Sequence, residues 1–186
     1  MRPVVSFVSA PSYKLAKFSD IWFKQLTDFH PPLSINNSLE LSELLTHSHP
    51  PSGSTLISFD VVGLYPNVPL QPTRARLQKY LHEANVPPSL IFDFKSLLQK
   101  CLTPNICQFR NSVYKLPPDI GIPIGSPLGS LIAEVFMCGY EEELFQSGHP
   151  LLDHVFLWRR YVDDVFCIWT GPIHAIQDFL DFLNSL

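Results

Sequence analysis

Proline sets the first limit on this chain. There are 18 prolines in 186 residues, about 10% against a typical ~5%. They are spread along the whole length, with pairs at 31–32, 50–51, 87–88 and 117–118. Proline breaks helix interiors and central strands, so these residues punctuate the fold. It is not a low-complexity pattern, because 46% of residues are apolar and only 16% charged, enough to bury a core.

The segments between prolines have distinct periods. Residues 1–10 look extended, and this abrupt β-prone start suggests a piece of something longer. Helical spacing runs over 12–29, with Leu15, Phe18, Ile21, Trp22, Leu26 and Phe29 as its stripe. Asn36-Asn37-Ser38 caps a short helix carrying Leu41, Leu44 and Leu45. Leu56–Val62 reads as a buried strand interrupted by Asp60. Helices follow over 72–84 and 88–101, with Pro72 and Pro88 in their first turns. Asn111-Ser112 marks a hairpin between Ile106–Arg110 and Val113–Leu116. Residues 117–127 form a Gly/Pro loop, with Ser126 as cap and Pro127 at the first position of an amphipathic helix. That helix carries Leu128, Leu131, Ile132, Val135 and Phe136. Two β runs, 155–160 and 165–169, meet at Asp163-Asp164, and a last helix spans 173–185 from Ile173. The order predicts an α+β fold, an antiparallel sheet with helices packed on one face.

Net charge is −4, which counts against nucleic acid unless basic groups are clustered or supplied elsewhere. Cys101, Cys107, Cys138 and Cys167 have no CxxC spacing, so no zinc site is expected, and they read as reduced intracellular thiols. No secretion signal and no membrane span is visible. The expected location is intracellular, in nucleus or cytoplasm.

Asp60 is a carboxylate ending an apolar run, costly to bury unless paired or metal-bound. Alone, it also fits a strand end facing water. Asp163-Asp164 alone also fits a solvated turn. Together they change the odds: if the Asp60 strand lies beside the 155–169 hairpin, three hard oxygen donors meet at one sheet edge, as Mg²⁺ prefers. Two such cations form a clamp for in-line phosphoryl displacement. A glycosyltransferase DxD site fits poorly, because the acids here are adjacent and pair with a remote one. Tyr65 fits a sugar-stacking ring or plain core. Gly125-Ser126-Pro127 fits a ligand loop or an ordinary helix cap.

Three segments, in this order, resemble the polymerase motifs of reverse transcriptases. SFDVVGLYPNVPL (58–70) resembles motif A, GIPIGSPLGSLIAEVFM (121–137) motif B, and RRYVDDVFCIW (159–169) motif C with its YxDD box. The flavour is that of Penelope-like retroelements, whose fingers segment RPVVS (2–6) and the following PSYKLAKF (11–18) also resemble. The resemblance implies a right-hand polymerase: partial fingers over 1–54 and a palm over 55–186, with thumb and endonuclease absent. It implies RNA-directed DNA synthesis with an RNA template, a DNA primer, dNTPs and two Mg²⁺ ions, for which Mn²⁺ can substitute. Asp60, Asp163 and Asp164 then match the catalytic acids, and the Val61 carbonyl a further metal ligand. Tyr65 matches the gate against a 2′-OH, Gly125, Ser126 and Pro127 the loop at the templating base pair, and Arg2 a triphosphate contact. Ile124, Gly63, Gly129 and Pro66 depart from the usual residues. The alternative is an inactive remnant that binds a protein partner through apolar residues of 173–186.

Overall fold

The computed structural model of the chain describes residues 7, 8, 10–102, 106–115 and 121–186. The expected opening strand, Arg2 and residues 117–120 of the Gly/Pro loop lie outside them. The chain divides into two compact units, each discontinuous: Met1–His30 with Gly63–Phe136, and Pro31–Val62 with Met137–Leu186.

In the first unit, α1 (Tyr13–Thr27), α4 (Leu70–Glu83) and α5 (Pro88–Leu102) share an aromatic core. Phe23 and Trp22 both stack on Phe94, at 5.8 and 5.1 Å, and Phe23 meets Phe29 and Tyr80 edge-on. This corrects the α1 stripe. Ala16, Ser19 and Phe23 are buried, whereas Phe18, Ile21 and Leu26 are exposed. α1 is apolar around much of its girth, so packing against Phe94 chose the face, which periodicity alone left ambiguous. α5 starts on Pro88 as expected. α4 starts two residues before Pro72, which leaves that proline within the first turn, where a missing N–H costs nothing. A one-turn helix, α3 (Leu64–Asn67), is too short to show a period.

β2 (Ile106–Phe109) and β3 (Ser112–Lys115) form a separate antiparallel hairpin. Its loop is Arg110-Asn111, one residue earlier than the sequence suggests.

In the second unit, β1 (Thr55–Asp60), β5 (Asp164–Trp169) and β4 (Val155–Tyr161) form an antiparallel sheet in the order β1-β5-β4. β1 is an edge strand with alternating burial, not a fully buried one: Leu56 is exposed and Ile57 and Phe59 face the core. α2 (Ser38–Thr46) is capped as predicted, with Asn37 accepting the Glu40 N–H at 3.0 Å and Glu40 accepting the Asn36 N–H at 2.8 Å.

Two helices differ from expectation. α6 (Gly129–Gln146) is buried nearly all round from Leu131 to Glu141, as its largely apolar circumference requires; it is not amphipathic there, and it begins two residues beyond Pro127. α7 (Ala175–Ser185) begins after Ile173, which is exposed. Its Ala175 and Phe179 are buried, and Ile176, Phe182 and Leu183 pack on the same core. Of the apolar residues of 173–186, Ile173 and Leu186 are exposed and the others are buried or partly buried. Among the described residues, no helix is long and apolar enough to cross a membrane.

Candidate active site

The β4–β5 hairpin closes through a two-residue loop, Val162-Asp163, because Tyr161 pairs with Asp164. Asp164 is therefore the first residue of β5 and not part of the loop. Across the other ladder it pairs with Asp60, the last residue of β1. Tyr161, Asp164 and Asp60 lie in one rung across three strands. Directly opposed residues share a face, with Cβ atoms about 4.5–5.5 Å apart. Asp163 is tied to the same rung, since its carbonyl accepts the Val61 N–H at 2.9 Å. The backbone thus brings Asp60, Val61, Asp163 and Asp164 to one sheet end, within one unit. Asp60 and Asp164 are exposed and Asp163 partly buried.

This arrangement breaks two local rules at one place. Like charges directly opposed on a ladder are destabilising. Val162 has φ 56°, a left-handed conformation that a β-branched residue resists and that hairpin loops usually give to glycine at this position. Such strain persists only where surrounding structure over-determines it, and it clusters at functional sites. The donor chemistry, carboxylate oxygens only, fits a hard divalent cation. Among the described residues, no three His, Cys, Asp or Glu side chains are grouped as they are around a metal ion. The convergence lies in the backbone register, and the side chains do not form the closed ligand cluster that the sequence led us to expect.

One rung along, on the other face of the sheet, lies a pair that the sequence did not reveal. Arg160 is 0% exposed and Glu141 2%. The guanidinium grips the carboxylate with two bonds, Nε to Oε1 at 2.8 Å and Nη2 to Oε2 at 3.2 Å. Trp158 Nε1 also donates to Glu141 Oε1, at 3.2 Å. Arg160 Nη1 donates to the Val162 carbonyl at 3.1 Å. The available signal was period 2: Trp158 fixes the inward face of β4, so Arg160 must point inward and needs a buried partner. Nearby, burial and the Glu141 charge push the Tyr140 hydroxyl up to about 12; it donates to the Leu183 carbonyl at 2.7 Å. Burial alone pushes the Cys167 thiol up to about 12.

The remaining expected residues belong to the first unit. Tyr65 lies in α3. The Ile122 N–H donates to its carbonyl at 2.8 Å, and the Gly121 N–H to that of Val68 at 2.9 Å. Gly121 has φ 81°, and a Cβ there would stand 2.4 Å from the Pro66 carbonyl oxygen. The start of the 121–127 loop is thereby strapped along residues 65–68. A Cβ on Gly129 would come 3.2 Å from the Tyr65 ring, so a side chain at 129 needs that ring to shift. Gly125 is exposed, and Ser126 and Pro127 are partly buried.

These features define an α+β fold, an antiparallel sheet with packed helices, and solved structures share it. Among solved structures, the chain is similar to the telomerase of Candida albicans in complex with the TWJ fragment of telomeric RNA: TM-score 0.61 and 15% identity, over 94% of this chain and 32% of that one. It is also similar to the apo telomerase of Candida tropicalis truncated from its C-terminal domain: TM-score 0.57 and 13% identity, over 92% of this chain and 36% of that one. The chain thus spans about a third of these neighbours. No protein family and no curated protein matches the sequence.

Proposed function

We propose that this chain is the catalytic part of an RNA-directed DNA polymerase of a retroelement, resembling the Penelope-like group, that extends a DNA primer with dNTPs on an RNA template. The observation that carries the reading is the rung. Motif resemblance picks out Asp60, Asp163 and Asp164, and the fold independently puts Asp60 opposite Asp164 with Asp163 hydrogen-bonded beside them.

In this reading Asp60, Asp163 and Asp164, with the Val61 carbonyl, are the residues that would hold two Mg²⁺ ions, and such ions would supply Lewis-acid activation of a primer 3′-OH and charge neutralisation on the triphosphate. The chain's own contribution is placement. For Tyr65, Gly125, Ser126, Pro127 and Arg2 the reading rests on the motif resemblance alone, which gives Tyr65 the role of gate against a 2′-OH, Gly125, Ser126 and Pro127 that of the loop at the templating base pair, and Arg2 that of a triphosphate contact. Phosphoryl transfer depends on such positioning and electrostatics more than on a side-chain nucleophile. An intracellular setting, nucleus or cytoplasm, belongs to the same reading.

The test is primer extension on an RNA template with dNTPs and Mg²⁺ or Mn²⁺. Extension by the chain that falls to background in Asp163→Asn/Asp164→Asn supports the reading. Extension that survives the double substitution refutes the assignment of these acids. A folded chain that does not extend a primer and shows no metal binding sensitive to that substitution refutes the function.

A further inference from the structure

The Arg160–Glu141 pair lies outside the reading above, yet it touches the turn that presents two of the three aspartates. We propose that it is a brace, and that Arg160 is the positioning residue that sets Asp163 and Asp164; this rests on the reading of those aspartates as the site.

The guanidinium is a planar fork with more donors than one carboxylate can use. Nε and Nη2 are occupied by Glu141, and this fixes the plane. Nη1 donates to the Val162 carbonyl. Glu141 is itself oriented by the Trp158 indole. The Arg160 main chain is equally fixed. Its N–H donates to the Leu33 carbonyl at 2.9 Å, and its carbonyl accepts the Ile35 N–H at 2.8 Å. A residue held on both sides thus grips the one residue of the loop whose conformation is unfavourable. The effect passes on, because the Asp163 carbonyl holds the Val61 N–H next to Asp60. If the turn relaxes, all three acids lose their common reference.

Stability alone does not explain the pair. Two well-packed apolar residues serve a core as well as a buried ion pair does, and often better. They cannot, however, hold a carbonyl. A lysine at 160 also fails, since one compact ammonium cannot copy the fork.

The experiment is amide hydrogen exchange on the full chain. The main variant is Glu141→Leu/Arg160→Met, which removes both buried charges together. We expect the Val61 amide to exchange about tenfold faster relative to the Ile57 and Cys167 amides, the scale of losing a hydrogen bond to a charged group. Adding Val162→Gly should restore protection, because glycine adopts the turn unaided. Arg160→Lys, which keeps a cation beside Glu141, should show the same selective loss and covers the case in which the double variant does not fold. Unchanged Val61 exchange in a folded variant overturns the brace. So does a loss shared equally by all three amides and not reversed by Val162→Gly. Mn²⁺ binding is followed in parallel, with about tenfold weakening expected in the double variant. If the native chain binds Mn²⁺ no better than Asp163→Asn/Asp164→Asn does, the reading of the aspartates fails, while the exchange data still decide the brace.

Discussion

The two hairpins solve the same turn in different surroundings. β2–β3 and β4–β5 each close on two residues, with a non-glycine at positive φ first: Arg110 at 54° and Val162 at 56°. In each, the side chain two residues earlier donates to that residue's carbonyl, Gln108 at 3.3 Å and Arg160 at 3.1 Å. Every residue of β3 is exposed, and Gln108 is an exposed amide that water can replace. Arg160 is fully buried and ion-paired, and the residue it holds is β-branched. A single local geometry is an ordinary surface turn in one hairpin and a strained, internally fastened one in the other. The difference is burial, and it falls at the hairpin that carries the adjacent acids.

Single substitutions at the buried pair should have the largest effect. Arg160→Met or Glu141→Leu alone strands a buried charge and should cost about 3–5 kcal/mol in denaturant unfolding, well beyond the cost of the double change. Equal costs for single and double changes would erase the contrast. Next, Val162→Gly in the native background relieves turn strain and should stabilise by about 1 kcal/mol. Arg110→Gly should give less, because its side chain is not β-branched. Third, Tyr140→Phe loses the bond to Leu183 and should cost about 1 kcal/mol. It should also remove a pH dependence: the Tyr140 hydroxyl is raised from 10.0 to about 12, so the stability it adds is full below pH 10 and lost as pH rises towards 12. Unfolding midpoints of native and Tyr140→Phe chains across that window check the sign. Smallest, Gln108→Ala should change stability by under about 0.5 kcal/mol. A larger loss would show that the exposed hairpin also depends on its fastening.

The three acids of the candidate site were conspicuous before the fold. Acids placed inside apolar runs are conspicuous because burial is costly, so Asp60 and Asp163-Asp164 stood out. The Asn37 cap and the Pro88 helix start are local chemistry and came out as read. The α1 face did not, since a helix apolar on several sides leaves the choice to its neighbours. Nor did the place of Asp164, where a one-residue difference moves an acid from the loop into the ladder.

The chain's own residue order determined most element types, the Asn37 cap and the positions of the three acids, because these depend on spacings of a few residues. Only the tertiary structure decided that Asp60 faces Asp164 and that Glu141, on α6, meets Arg160, on β4. Those pairings join segments far apart in sequence. Strand register and helix face are settled by which apolar surfaces can be buried together, and no local pattern encodes that choice.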